Sequence, residues 1–323
     1  MEFLMTEKIL QPKKKHHYVW GKYLSKWCES SNKVYYRTLN GKIGLDSVRG
    51  LAKEDYFYQF EKLTSEESNI IKAFLKPLPK GLQDIHLSFL KNIFEIFNMQ
   101  SQYKWGGRYD EEAKSLFFAT KCNIIEDLHA ASEEKVIPIL QALYDEELNV
   151  LESNKNISSF LAFLGLQLFR TKKIKNAVLK NHPHRTQLEE SVASALKKAW
   201  WLMSYVFGAN LGYSLYLSKN KDTHSLLINK TDFSFLTSDQ PVINVYESTD
   251  SVCPAERLEL YYPIAPRVAY FISEDGRFPP GKVSIAEGDV NALNIKLAKE
   301  SNVHIFGDSE LILRKYISYV RLR

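Results

Sequence analysis

The sequence lacks the features that mark secreted and membrane proteins. Its three cysteines, Cys28, Cys122 and Cys253, are scattered along 323 residues and form no CxxC pair. A disulfide framework and a structural zinc site are therefore not expected. The protein is expected to reside in a reducing compartment. The N-terminal residues include acids, and no stretch approaches the roughly 20 apolar residues of a membrane span. The sequence predicts a cytoplasmic protein with no membrane partner.

The familiar catalytic signatures are also absent. There is no P-loop, no HExxH, no GxSxG and no GxGxxG that opens a helix, and Gly106-Gly107 is an isolated pair. No single motif therefore assigns a reaction. The chemistry has to be sought in three polar clusters, which lie far apart in the chain.

The composition indicates a globular protein with a mildly basic surface. Hydrophobic residues make up 45% and charged residues 25%, and the net charge is +5. Basic runs occur at 13–15, 170–175 and 197–198. Such runs fit a nucleic-acid partner, although a solvated helix face is the simpler explanation of any one of them.

Hydrophobic periodicity predicts an α+β fold. Asn40-Gly41 between two β-prone stretches indicates a hairpin near 33–46, and a short helix is expected near Val19. Helices are predicted near 65–76, 82–99, 110–131, 133–153, 156–171, 185–209 and 287–301. Strands are predicted at 214–217, 225–228, 233–236, 242–246, 258–262, 268–272 and 303–306.

The order of these elements predicts three parts. An N-terminal segment, 1–63, is expected to join a strand-rich C-terminal portion, 211–323, which also carries one late helix. A helical bundle, 64–210, is inserted between them. The two ends of the chain would thus share one strand-rich portion.

The first polar cluster is His16-His17-Tyr18. Adjacent residues of a strand or helix point in different directions, so only one of the two histidines would face a given site. A neutral imidazole can act as acid, base or metal ligand near neutral pH. The alternative is that both histidines extend the basic run at 13–15.

The second cluster lies at a predicted helix end. Gln167 and Arg170 are three residues apart, so an amide and a guanidinium share one helix face. Arg170 is suited to clamp a phosphate or a carboxylate with two hydrogen bonds. The alternative is an arginine that closes the helix and opposes its dipole.

The third cluster is a turn at residues 237–241, Thr-Ser-Asp-Gln-Pro, between two apolar stretches. Pro241 cannot donate to a sheet, and Ser238 and Asp239 can hydrogen-bond nearby backbone groups. Asp239 would be presented at a fixed angle, where it could orient a histidine, bind a metal or act as a base. The alternative is an ordinary Asx-type turn.

Together these clusters resemble a bacterial family catalogued as domain of unknown function 4238. The opening resembles its His-Tyr-Val-Pro-x-x-Tyr-Leu pattern, which here is His-Tyr-Val-Trp-Gly-Lys-Tyr-Leu at 17–24. Later segments that resemble the family lie at 50–58, 167–171, 237–242, 262–266 and 290–294. This chain departs from the pattern at Trp20, where the family usually has proline, and at Gln240, where asparagine is commoner.

The resemblance implies one shared site built from distant segments. The polar positions of the pattern are His17, Gln167, Arg170, Asp239 and Asn294. His17, Asp239 and Arg170 are predicted to be catalytic. Gln167, Asn294, Ser238 and His16 are predicted to bind substrate. The family carries no activity to transfer, and a divalent metal is one option that the residues leave open.

Two functions follow as hypotheses. The first is a nuclease or phosphodiesterase that acts on RNA or DNA, in which His17 is an acid, base or metal ligand and Arg170 stabilises phosphate charge. The kind of genes near which such families occur suggests an anti-phage or toxin-like role. The second is a non-catalytic module that binds a nucleotide, a nucleic acid or a partner protein.

Overall fold

A computed structural model describes residues 10–28, 32–180, 186–247 and 255–321. The described residues form ten α-helices and eleven β-strands. Cys253 lies outside them, and Cys28 and Cys122 are free thiols. None of the helices in the described ranges has the length and apolarity needed to span a bilayer.

The helices cluster in the middle of the chain. They are α1 Gly21–Leu24, α2 Ser65–Leu75, α3 Lys80–Gln102, α4 Asp110–Tyr144, α5 Asn154–Phe169, α6 Lys172–Lys180, α7 Gln187–Lys198, α8 Trp200–Ser218, α9 Glu287–Glu300 and α10 Glu310–Tyr316. The local sequence explains several of these boundaries. Thr64, for example, caps α2 by accepting the N–H of Glu67, whose carboxylate accepts the N–H of Thr64 in return.

The strands lie toward the two ends of the chain. They are β1 Lys15–His17, β2 Lys33–Arg37, β3 Ile43–Ser47, β4 Lys53–Asp55, β5 Thr223–Asn229, β6 Thr237–Ser238, β7 Ile243–Asn244, β8 Glu259–Ala265, β9 Val268–Ser273, β10 Gly281–Ile285 and β11 Ile305–Gly307. The predicted hairpin is confirmed, since β2 and β3 pair antiparallel. Its turn places Gly41 at a φ of 75°, which glycine adopts without strain.

A four-stranded sheet joins the two ends of the chain. Its order is β3-β2-β11-β6, so a hairpin from the N-terminal segment pairs with a strand close to the C-terminus. A five-stranded sheet of order β10-β5-β9-β8-β7 lies entirely in the C-terminal portion. The α+β fold with an inserted helical run is therefore confirmed.

The helical run is held together by an unusually close helix pair. Helices α5 and α8 meet where a Cβ built on Gly165 would lie only 2.1 Å from the carbonyl oxygen of Gly208. Gly212 faces α5 in the same way, with its ideal Cβ 2.6 Å from the Cα of Ala162. These glycines allow the two backbones to touch, which side chains would prevent.

Several predicted elements are wrong. The predicted helices at 110–131 and 133–153 form the single helix α4 as far as Tyr144, followed by a short 3-10 segment. The predicted helix at 185–209, whose first residue lies outside the described ranges, is two helices that are separated at Ala199. Helix α6 was not predicted, because its lysine-rich sequence resembles a solvated run.

Two predicted strands are also wrong. Residues 214–217 continue α8, and 233–236 have no regular structure. The alternation Ser-Leu-Tyr-Leu fits either a strand or a buried helix. Packing against α5 decides in favour of the helix, because α8 extends beyond its contact at Gly212.

Candidate functional site

A polar cavity of about 420 Å³ lies where the N-terminal segment meets the helical run. It is lined by His17, Trp20, Gly21, Lys22, Ser25, Asn32, Val48, Arg49, Glu126, Glu133 and Arg170. Three elements position these residues: β1 with the start of α1, the open end of the β2–β3 hairpin, and the middle of α4. The tip of α5 adds Arg170. Two of the three residues predicted to be catalytic, His17 and Arg170, thus line one cavity.

Arg170 is the centre of the hydrogen bonding around this cavity. Its side chain is buried, and its guanidinium pairs with the Glu133 carboxylate at 2.5 Å. It also donates to the backbone carbonyl of His17 at 2.5 Å and to the Tyr58 hydroxyl at 3.3 Å. Burial alone would lower the pKa of Arg170, but Tyr58, Glu133 and Glu126 together raise it above its ordinary value. The guanidinium is therefore a fixed positive charge that joins α5, α4 and β1.

Two glutamates of α4 bring carboxyl groups to the cavity. Burial raises the pKa of both Glu126 and Glu133, and the nearby charge of Arg170 opposes that rise. Glu133 is paired with Arg170, whereas Glu126 has one oxygen that is shielded from solvent and lacks a hydrogen-bond partner among the described residues. Glu126 is thus the glutamate whose carboxyl group is not committed to an ion pair with Arg170.

His17 is half-buried and its backbone is held from two sides. Its carbonyl accepts from Arg170, and its amide faces the Glu126 carboxylate. Burial lowers the pKa of the His17 imidazole, the Arg49 carbonyl opposes this effect, and the charges of Lys53 and Arg170 lower the pKa further. The lowered pKa favours the neutral imidazole, which is the form that can accept a proton.

His16 has a different environment from its neighbour. It is fully buried, and its Nε2 donates to the Lys13 carbonyl at 2.7 Å. Its Nδ1 accepts the Tyr58 N–H at 2.9 Å, so both ring nitrogens are engaged by backbone. The alternation along β1 separates the two histidines, as expected. His16 does not line the cavity, and its contacts hold β1 against residue 58.

Asp239 is not among the residues that line the cavity. Its side chain is buried, and its carboxylate accepts the backbone N–H groups of Asn302, Val303 and His304 at 2.8, 2.8 and 2.9 Å. Burial raises the pKa of Asp239, while these three donors and His304 act to lower it. The carboxylate fixes the loop that leads into β11, next to its own strand β6. The Asx-type alternative does not describe these contacts, because the carboxylate binds a loop distant in sequence, and the local bonds of the turn are made by Ser238.

The other predicted substrate-binding residues are buried as well. The Ser238 hydroxyl donates to the Gln240 carbonyl at 2.8 Å and accepts the Gln240 N–H. Asn294 of α9 accepts the N–H of Leu236 and donates to the carbonyl of Ser234, both at 2.9 Å. Gln167 is buried one turn before Arg170 on α5. None of the three lines the cavity.

Sequence reasoning missed the glutamates of α4. Glu126, His129 and Glu133 recur at intervals of three and four residues, which places them on one face of the helix. His129 is buried against the Tyr58 ring, with 4.9 Å between ring centroids, and burial holds its pKa well below the ordinary value. The signal that could have identified them is a polar stripe along one face of a single long helix. The predicted break after residue 131 placed Glu126 and Glu133 in different helices and hid this stripe.

The described residues offer no cluster of three or more histidine, cysteine, aspartate or glutamate side chains arranged to hold a metal ion. The side chains that line the cavity can supply acid, base and cationic groups. A half-buried imidazole, a carboxyl group outside the Arg170 ion pair and a fixed guanidinium line one cavity together with exposed cations.

The comparison with protein families matches residues 15–202 to a family described as protein of unknown function (DUF4238). The chain belongs to the DUF4238 family. No curated protein and no solved structure matches it. The DUF4238 match contains every residue that lines the 420 Å³ cavity, whereas Asp239 and Asn294 lie beyond it.

Proposed function

We propose that this DUF4238 protein hydrolyses a phosphodiester bond of a nucleic acid, and that the 420 Å³ cavity is its active site. The observation that carries the proposal is the meeting of His17, Glu126 and Arg170 in one cavity. These groups provide a base, an acid and a fixed positive charge, which are the functions that phosphodiester hydrolysis requires.

Charge on the rim supports an anionic substrate. Lys22 and Arg49 line the cavity and are exposed, so their cationic groups remain in contact with water. Arg170 adds a buried cation at the floor, where its charge is less screened than at the surface. Phosphates of a nucleic-acid backbone are attracted by such cations without regard to sequence.

The proton transfers balance within the cavity. A water molecule attacks phosphorus and loses its proton to the neutral imidazole of His17 as the new P–O bond forms. The P–O bond to the leaving oxygen breaks, and that oxygen takes a proton from the Glu126 carboxyl group. Arg170 opposes the negative charge that accumulates on the phosphoryl oxygens. Proton exchange with solvent returns both residues to their starting states.

The test uses labelled RNA and DNA with three variants. His17→Ala and Glu126→Gln are expected to lower cleavage by about 10²- to 10⁴-fold, the usual contribution of a general acid or base. Glu134→Gln is the control, because Glu134 is exposed on the same helix. Equal cleavage by all three variants and the parent chain would rule out this site. Growth inhibition on overexpression, lost in the same two variants, would extend the proposal to a toxin-like or antiviral role.

A second candidate is a module that binds a nucleotide or nucleic acid without turnover. The three nitrogens of the Arg170 guanidinium already donate to Glu133, His17 and Tyr58. This engagement limits direct hydrogen bonds from Arg170 to a reacting phosphoryl group, and it therefore favours binding without turnover. A thermal shift with nucleotides in the absence of any cleavage would select this function over hydrolysis.

A further inference from the structure

A second cavity of about 140 Å³ lies beside the first one. It is lined by Trp20, Lys22, Tyr23, Lys26, Ile137, Leu140, Gln141 and Ile264. Trp20 and Lys22 line both cavities, so the two spaces are neighbours that share a wall. A ligand in the larger cavity therefore lies next to the smaller one, with Trp20 and Lys22 between them.

Helix α4 links the two spaces through one face. Glu126 and Glu133 line the larger cavity, and Ile137, Leu140 and Gln141 line the smaller one. Glu133 and Ile137 lie seven and eleven residues after Glu126, and Leu140 and Gln141 lie three and four residues after Ile137. These spacings keep all five positions on one side of the helix. The lining along this face changes from carboxyl groups to mainly apolar side chains within two turns.

The smaller cavity is suited to a flat, mainly apolar group. Trp20 and Tyr23 contribute aromatic rings, and Ile137, Leu140 and Ile264 contribute aliphatic groups. The Tyr23 hydroxyl is occupied by Thr237 at 2.6 Å and by the carbonyl of Pro263 at 2.7 Å. The Tyr23 ring is itself stacked on Tyr262, with 5.2 Å between the ring centroids, so Trp20 supplies the aromatic face for a ligand.

Polar groups border the same space. Lys22 contributes an ammonium group, whereas the ammonium of Lys26 lies 4.1 Å from the centre of the Tyr144 ring. The amide nitrogen of Gln141 donates to Asp145 at 2.9 Å, which leaves its oxygen as an acceptor. A nucleobase combines a flat aromatic face with donors and acceptors on its edge. Bases that bind proteins in this way stack on aromatic side chains and use their edges for hydrogen bonds.

We propose that the 140 Å³ cavity binds the base of the nucleotide whose phosphate occupies the 420 Å³ cavity. This inference rests on the proposed function, and it adds a substrate class. A base can enter only when it is unstacked and unpaired, so the preferred substrate is single-stranded nucleic acid. Lys22, which lines both cavities, would contact the phosphate that joins them.

The test compares three labelled probes of equal length: a single-stranded oligonucleotide, the corresponding duplex, and an abasic strand that carries the same phosphates without bases. Fluorescence anisotropy gives the dissociation constant of each. The single strand is expected to bind more tightly than the abasic strand by about five- to 150-fold, the usual range for one stacked base. Equal affinity for the two would overturn the inference.

A substitution that fills the smaller cavity provides the second measurement. Ile137→Trp is expected to remove the preference for the single strand and to leave abasic-strand affinity unchanged. Leu116→Trp is the matched control, because Leu116 is exposed on the same helix and remote in sequence from the cavity. Ile137→Ala tests the same contact by truncation if the larger residue impairs folding.

The outcomes separate this inference from the proposed function. Cleavage that occurs with no dependence on bases or on residue 137 contradicts the base subsite and leaves the hydrolase intact. Base-dependent binding without cleavage supports the subsite and contradicts hydrolysis. Failure of the parent chain to bind any of the three probes contradicts both.

Discussion

At the scale of single residues, the cavity depends on a few buried charges that hold one another. The Arg170 guanidinium joins Glu133, Tyr58 and the backbone of His17. Removing one partner of a buried ion pair usually costs more than the pair itself contributes, because the remaining charge has no counterpart. Arg170 and Glu133 are therefore positioning residues as much as they are electrostatic ones.

Hydrolysis is expected to peak at mildly acidic pH. The base form of His17 persists to lower pH than usual, because burial and the charges of Lys53, Arg170 and His16 lower its pKa despite the Arg49 carbonyl. The acid form of Glu126 persists to higher pH, because burial raises its pKa, with Asp127 in support and with Arg170, Lys13 and the His17 amide in opposition.

The pKa of His17 is lowered and that of Glu126 is raised, so the two pKa values lie closer together than usual. The rate should therefore be highest between about pH 4.3 and 6.5, the ordinary pKa values of glutamate and histidine. A pH–rate profile of the parent chain measures this directly. In Glu126→Gln the alkaline fall should disappear from the residual activity. A rate that rises steadily to pH 9 would contradict the assignment of Glu126 as the acid.

Asp239 is expected to govern stability. In Asp239→Asn the amide nitrogen cannot accept, so at least one of the N–H groups of Asn302, Val303 and His304 loses its acceptor. The unfolding free energy should fall by about 1–3 kcal/mol, the cost of one unsatisfied buried group. Urea unfolding measures it, with the exposed Asp232→Asn as the control.

The opposite result for Asp239 is equally informative. Unchanged stability together with a loss of cleavage as large as that of His17→Ala would return Asp239 to the catalytic group that the sequence pattern suggested. The observed contacts predict the first result, because all three hydrogen bonds of the carboxylate are made to backbone.

At the scale of elements, α4 is the helix on which the candidate site depends. It runs unbroken from Asp110 to Tyr144, about 50 Å at 1.5 Å per residue. Its length lets one face line two neighbouring cavities while other turns pack in the core. A break at residue 131, as predicted from sequence, would have separated Glu126 from Glu133 and removed the stripe.

The contact between α5 and α8 predicts a large effect of one methyl group. In Gly165→Ala the new Cβ would lie 2.1 Å from the Gly208 carbonyl oxygen, so the helices must separate. The unfolding free energy should fall by at least about 1–3 kcal/mol, the usual cost of overpacking a core. Differential scanning calorimetry or urea unfolding measures the change.

Gly288→Ala is the matched control for this contact. Gly288 also lies in a helix, and a Cβ there would meet no atom within 4 Å. Its substitution should be neutral or should stabilise by up to about 1 kcal/mol, since alanine favours helix. Equal effects at positions 165 and 288 would contradict the close approach of α5 and α8.

At the scale of the whole molecule, a buried ion pair connects the helical run to the C-terminal portion. The side chains of Lys173 in α6 and Glu300 in α9 are each 1% exposed and lie 2.6 Å apart. Lys296 pairs with the same carboxylate at 2.9 Å. Burial acts to raise the pKa of Glu300, but Lys173 and Lys296 hold it below its ordinary value.

Removing this carboxylate should destabilise the whole chain. Glu300→Gln leaves the Lys173 ammonium buried without its nearest partner, and such losses cost about 3–5 kcal/mol. Urea unfolding at pH 7 tests this, with Glu310→Gln as the control. Glu310 also forms an i,i+4 pair, with Arg314, but at the surface, where about 0.5 kcal/mol is usual.

The same pair predicts the direction of the pH dependence. The pKa of Glu300 is lower in the folded chain than in the unfolded one. Its contribution is therefore present above the unfolded value and is lost as the pH falls through the folded value. As the pH falls, the unfolding free energy should decrease less in Glu300→Gln than in the parent chain. The same pH dependence in both chains would contradict the role assigned to Glu300.

Much of the architecture could be predicted from local patterns. The Asn40-Gly41 hairpin, the capping box at Thr64 and the late helix at 287–300 each depend on neighbouring residues, and each is present. The helix of residues 200–218 could not be placed in this way. Its sequence is apolar on all sides, so no periodic face indicates where it ends.

The candidate site could also be predicted only in part from the sequence. The sequence by itself determined the α+β class and the DUF4238 resemblance, and it singled out His17 and Arg170 as candidates, because these depend on residue type and order. Only the tertiary structure decided that Glu126 joins them and that Asp239 binds a backbone loop instead. Side chains distant in sequence meet according to how helices and strands pack, and local patterns carry no information about that distance.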